Sequence, residues 1–146
     1  ICHSAAGAVP SQGGHYLQPM LWYIAFGSAV GGVTRYLLGG FIQRVAGGPF
    51  PLGTLIINVS GSFLLGFLLR YALGSTAISP ELRAMLTIGF CGGYTTFSTF
   101  SYDAVRLMED GSYARFAAYV GASVLLSLIA TLLGFGLARE VMRIRP

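Results

Sequence analysis

The sequence predicts an all-α membrane protein with four transmembrane helices per subunit, the third broken at its centre. Three observations carry that prediction. Charged residues make up 10% of the 146 residues and hydrophobic ones 54%, whereas a soluble domain carries about a quarter charged residues. Long apolar runs alternate with short connectors rich in glycine, proline and charge; the length allows about four spans of roughly 20 residues and leaves no room for a soluble domain beside them. One run is also interrupted in an unusual way. The stretch GFCGGYTTFSTFSYD, residues 89–103, sets the adjacent Gly92 and Gly93 at mid-membrane, followed by the hydroxyls of Tyr94, Thr95, Thr96, Ser98, Thr99 and Ser101. Glycine loosens a helix, and a break at that depth is tolerated where freed backbone groups meet protein or an ion. This stretch therefore reads as an ion site around which the other segments close.

Residues 1–19 differ from the rest: small, polar and glycine-rich, with both histidines, His3 and His15. They lack the basic start and apolar run of a signal peptide. They read as a disordered extension, with residues 20–146 as the four-helix membrane domain and Met20 as a natural start. A metal site from Cys2, His3 and His15 is the less favoured reading of that tail. Segment one covers about residues 21–42. Gly27, Gly31, Arg35 and Gly39 recur every four residues on one stripe, where small residues let helices approach closely and an arginine faces protein or the interface. Gly47, Gly48, Pro49 and Pro51 end it. Segment two covers about 53–73, with Asn58, Ser62 and Gly66 in a stripe. Pro80 and Glu81 start segment three, about 81–108, which Glu109, Asp110 and Gly111 end. Segment four, about 113–138, carries Tyr119, Ser123, Ser127 and Thr131 in a polar line at four-residue spacing.

All nine basic residues are arginines, and the net charge of +4 gathers at segment ends. That suits lipid headgroups better than nucleic acid. Arg70, Arg83, Arg139, Arg143 and Arg145 fall on one side, and Arg44, Arg106 and Arg115 on the other. So weak an asymmetry sets little orientation preference and permits insertion both ways, hence an antiparallel dimer. The cysteines, Cys2 and Cys91, make no disulfide framework.

No enzyme constellation is visible. The histidines lie in the tail, no serine has a nearby base, and residues 89–93 lack the order of a phosphate loop. Glu81, Asp103, Glu109, Asp110 and Glu140 all read as lying near segment ends, which disfavours proton-coupled transport. What remains are neutral polar groups on apolar helices. Taken singly, each serine or threonine is better explained as helix–helix glue. Four on a single stripe point instead to a path. A row of O–H and N–H donors without fixed positive charge can replace water around a small anion. Phe97 and Phe100, three apart and so on one helical face, are ordinary core in most proteins. Beside a polar line, their positive ring edges can face an anion.

The motifs GTLIINVSGSFLLGF, GFCGGYTTFSTFS and YVGAS, in this order, resemble the CrcB/Fluc family of bacterial fluoride channels. The resemblance covers about residues 20–139, and GGYTTFSTF is its most specific part. It implies a four-helix subunit paired as an antiparallel, dual-topology homodimer with two fluoride pores. It further implies a structural, untransported sodium ion at the dimer centre, held by the backbone carbonyls of Gly92 and Thr95. Asn58, Phe97, Phe100, Tyr119, Ser123, Ser127 and Thr131 match the family's pore residues. The physical chemistry agrees: fluoride is strongly hydrated and needs close donors, and carbonyls suit a small hard cation whose charge helps a nearby anion. The expectation is thus a non-enzymatic passive fluoride exporter of the plasma (inner) membrane, with no nucleic-acid partner. The runner-up, a small dual-topology multidrug exporter, is disfavoured because residues 24–38 hold no acid. A non-transporting assembly protein is the third reading. Fluoride over chloride, and sodium over another cation, rest on the resemblance alone.

Overall fold

Four helical segments follow one another in the order of the apolar runs. The computed structural model describes residues 14–74 and 78–144, and all regular structure among the described residues is helical. α1 spans Gly14–Ala46 and α2 Leu52–Gly74. The third segment is composite. It runs through α3 (Pro80–Ala84), a π-helical turn (Met85–Cys91), the short α4 (Gly92–Tyr94), two extended residues, and α5 (Phe97–Glu109). α6 covers Tyr113–Ile144. Each segment outruns its apolar core. α1 is helical from Gly14 onward. Residues 1–13, with Cys2 and His3, lie outside the described residues.

The segment ends follow from local chemistry. Gly47 ends α1 with φ 62°, and its amide bonds the Gln43 carbonyl at 3.2 Å, a single left-handed cap. The Gln43 side chain then ties the next loop, donating to the Gly48 and Phe50 carbonyls and accepting from the Gly53 amide. Ser79 caps α3 by accepting from the Leu82 amide, with Pro80 in the first turn. Gly111, at φ 69°, ends α5: the Ser112 amide reaches the Leu107 carbonyl at 2.9 Å and the Gly111 amide the Met108 carbonyl at 3.0 Å. That paired pattern is a Schellman motif.

Small residues set the packing. A Cβ built on Gly27 would lie 2.3 Å from the Met85 carbonyl oxygen, and one on Gly31 would lie 2.3 Å from that of Phe90. α1 therefore rests backbone to backbone on the π-helical turn. α2 and α6 cross in the same way: a Cβ built on Gly66 would lie 2.6 Å from the Thr131 carbonyl oxygen, and one on Gly134 would collide with that of Phe63. The close approach expected of the Gly27 and Gly31 stripe is made between helices of the same chain. A Cβ built on Gly39 would meet only the Ile57 side chain, at 3.5 Å, while the Gly39 carbonyl is where Gly53 of α2 approaches.

α2 and α6 are long and apolar enough to cross a membrane, yet only 28% and 17% of their apolar windows are covered. The core helix of a soluble protein would be largely enclosed. α1, diluted by glycines and Arg35, and the broken third segment fall short of the same measure among the described residues. Composition, helix length and uncovered apolar surface together make this a helical membrane protein.

Candidate functional site: the helix break and the polar line beside it

The break in the third segment lies at Thr95 and Thr96, not at the glycine pair. Thr95 has φ −82° and ψ 159°, Thr96 φ −151° and ψ 116°, while Gly92 is helical at φ −64° and ψ −38°. Threonine favours extended backbone, and its hydroxyl can take over bonds that the helix gives up. Both residues do so. The Thr95 hydroxyl and amide each donate to the Cys91 carbonyl at 3.0 Å. Thr96 Oγ1 caps α5, accepting from the Thr99 amide at 3.2 Å. Gly93 serves close approach, since a Cβ there would lie 2.5 Å from the Ser28 carbonyl of α1.

α2 cradles the break. Asn58 pairs with the backbone of Thr96 at both ends of its carboxamide: Nδ2 donates to the Thr96 carbonyl at 3.0 Å, and the Thr96 amide donates to Oδ1 at 2.8 Å. Ser60 Oγ lies 2.9 Å from the Tyr94 hydroxyl. At Gly61 a Cβ would fall 2.3 Å from Thr95 Cγ2. The segment Asn58–Gly61 thus fits the break by hydrogen bond at one end and by missing bulk at the other.

In an unbroken helix the Thr96 amide would bond the Gly92 carbonyl and the Thr99 amide that of Thr95. Both amides are engaged elsewhere. The two carbonyls that the family resemblance implies as cation ligands have therefore lost those helical partners, and oxygen donors of this kind suit a hard cation. Gly92 faces open space, with nothing within 4 Å of an added Cβ.

From the break an aromatic row leads to α6. The Phe97 and Phe100 rings lie 5.5 Å apart between centroids, and Phe100 and Tyr119 5.4 Å. Phe97 is 79% exposed on the subunit surface, whereas Tyr119 is wholly buried. The polar line of α6 divides in two. Ser123 is buried and its hydroxyl has no hydrogen-bond partner. Thr131 instead bonds back to the Ser127 carbonyl at 2.9 Å and approaches that of Ser62 at 3.4 Å, as helix glue does.

An open cavity of about 660 Å³ descends beside α1 towards the break, lined by Arg35, Thr54, Thr96, Thr99, Asp103 and Arg106 among others. Sequence reasoning gave no role to Thr54 and set Asp103 aside as lying near a segment end. In the structure Asp103 Oδ2 accepts from the Thr54 hydroxyl at 2.8 Å and from the Tyr119 hydroxyl at 3.4 Å. The available signal was its position three residues after Phe100, which puts it on the same helical face. Asn58, Phe97, Phe100 and Tyr119 adjoin one another through the break and the ring row. Ser127 and Thr131 continue along α6 into its seam with α2, and Gly27 and Gly31 serve packing alone.

A broken membrane helix, carbonyls without helical partners, an aromatic row and an unpartnered buried hydroxyl define a helical membrane protein whose polar groups gather around a break in its third segment. Residues 22–135 match the family described as CrcB-like protein, Camphor Resistance (CrcB), and the chain belongs to that family. It is 51% identical over 118 residues to a protein of Geobacter sulfurreducens named "Fluoride-specific ion channel FluC", covering 81% of this chain and 95% of the relative. Proteins of the same name from Geotalea daltonii and Rhizobium meliloti are 45% identical over 125 residues and 46% identical over 119. Those matches cover 86% of this chain and 100% of the first relative, and 82% and 95% for the second.

Proposed function

We propose that this chain is a passive fluoride channel of the plasma (inner) membrane, non-enzymatic, letting the ion leave the cell down its gradient. The observation that carries the reading is the row Phe97–Phe100–Tyr119, with the unpartnered Ser123 hydroxyl one helical turn beyond Tyr119. A buried hydroxyl without a partner costs about 1–3 kcal/mol, which a desolvated anion passing it would offset. Ring edges carry positive partial charge and can share in replacing the ion's water without binding it too tightly to leave. The relatives' name supplies fluoride as the anion.

The functional unit is an antiparallel homodimer with a structural sodium ion at its centre. Two carbonyls under-coordinate such a cation, and a symmetric partner supplies the same two again. Exposure of Phe97 and open space beside Gly92 support this reading, since both leave room for a partner. A fixed cation there raises the local potential for an anion. The test is efflux from liposomes loaded with potassium fluoride, read with a fluoride electrode after potassium is released by valinomycin. Rapid fluoride efflux with negligible chloride efflux is expected; no protein-dependent fluoride efflux rejects the reading.

A further inference from the structure

We propose that Asn58 and Thr96 make the central cation site, by taking the two amide protons that would otherwise occupy its carbonyls. The inference rests on reading Gly92 and Thr95 as cation ligands, and it assigns Asn58 a positioning role distinct from that of a pore donor. A carbonyl inside a membrane helix is normally held by the amide four residues on. Freeing it without loss requires a competing acceptor for that amide and something to satisfy the carbonyl. The structure supplies the competing acceptors. Asn58 Oδ1 takes the Thr96 amide at 2.8 Å, and Thr96 Oγ1 takes the Thr99 amide at 3.2 Å. The pairing is reinforced because Asn58 Nδ2 also holds the Thr96 carbonyl at 3.0 Å. Thr95 is kept out of the α5 helix by its two bonds back to Cys91. An asparagine placed only to meet an anion would leave its carboxamide free. Here its oxygen and one of its two amide hydrogens are committed to backbone.

Anion path and cation site thus share Asn58, so a change at this residue should act on both. Sodium binding is measured on the purified protein as the rise in melting temperature in sodium chloride over N-methylglucamine chloride at equal ionic strength. The unaltered protein should show a saturable rise. Thr96→Ser keeps the accepting hydroxyl and should saturate at the same sodium concentration. Thr96→Val keeps the side-chain shape without the acceptor, and Asn58→Leu removes both carboxamide bonds; each should need at least tenfold more sodium. If the unaltered protein shows no sodium-specific rise, the cation reading fails. If it does, and both variants saturate where the unaltered protein does, the present proposal is overturned. Should either variant not fold, hydrogen exchange on the unaltered protein decides. The Thr96 and Thr99 amides should stay protected without sodium, because side chains hold them. Loss of that protection on sodium removal would overturn the proposal.

Discussion

Ser123 and Thr131 share a polar line in the sequence and differ in what their hydroxyls do. The Thr131 hydroxyl is satisfied by its own helix, whereas the buried Ser123 hydroxyl has no partner. Packing and conduction therefore make opposite forecasts. Ser123→Ala removes an unsatisfied buried hydroxyl and should leave stability unchanged or raise it by about 1 kcal/mol, while fluoride efflux falls at least severalfold. Thr131→Val should leave efflux within about twofold, since it deletes a bond the helix makes to itself. Initial efflux rates from liposomes, with melting temperature in detergent, check both; equal rates for Ser123→Ala and the unaltered protein would remove Ser123 from the path. The phenylalanines allow a parallel separation. Phe97→Ile and Phe100→Ile keep apolar bulk but lose the ring edge. As packing changes they should cost under about 1.5 kcal/mol, so folded variants with steeply reduced efflux would mark the rings as part of the route. Asn58→Asp sets a second oxygen against the Thr96 carbonyl in place of a donor now 3.0 Å away, so distortion of the break should accompany any loss of flux.

At the scale of the element, the third segment shows what the sequence tells and what it withholds. That the helix breaks at its centre was legible from the crowd of hydroxyls and glycines at membrane depth. Where it breaks was not, because glycine has two uses. Gly93 is there for close approach to α1 and Gly92 sits on an open face, while the threonines make the break with acceptors drawn partly from α2. That Asn58 would supply one of them depends on a contact between residues far apart in sequence. The π-helical turn was invisible for the same reason. It lies where Gly27 and Gly31 press the α1 backbone onto Met85 and Phe90, a fact of packing rather than of its own residues. Gly61 is the element's sharpest test. A methyl there would sit 2.3 Å from Thr95 Cγ2, and overpacking of this sort costs about 1–3 kcal/mol. Gly61→Ala should lower the melting temperature and disturb the break. Gly121→Ala on α6, where an added Cβ meets nothing within 4 Å, should be neutral or stabilising by up to about 1 kcal/mol. Equal melting temperatures for the two would show that α2 does not fix the break.

At the scale of the whole molecule, the subunit leaves too much apolar surface uncovered to be read apart from its surroundings, and lipid and a second copy make different demands on that surface. Gly92 and Gly136 separate them. Both are helical, and in both an added Cβ meets nothing within 4 Å of the subunit. Judged by the subunit alone, alanine at either position should raise helix stability by about 1 kcal/mol. Gly136 lies on α6, whose apolar surface is mostly uncovered and suits lipid. Gly92 lies beside the unhooked carbonyls, on the face where the proposed partner closes. If an antiparallel partner packs there, Gly92→Ala inserts a methyl into the interface in both copies at once, because a twofold interface presents the same patch twice. The dimer fraction by cross-linking in membranes, and by size exclusion in detergent, should then fall at least severalfold for Gly92→Ala and stay unchanged for Gly136→Ala. The weak arginine asymmetry gives the same assembly a second test. A cysteine added at the C-terminus should be labelled from both sides of the membrane, since chains inserted in both orientations are what an antiparallel pair requires. Labelling from one side only, with full dimerisation of both glycine variants, would mean that Gly92 faces lipid and that the carbonyls of Gly92 and Thr95 find their ligand within a single subunit.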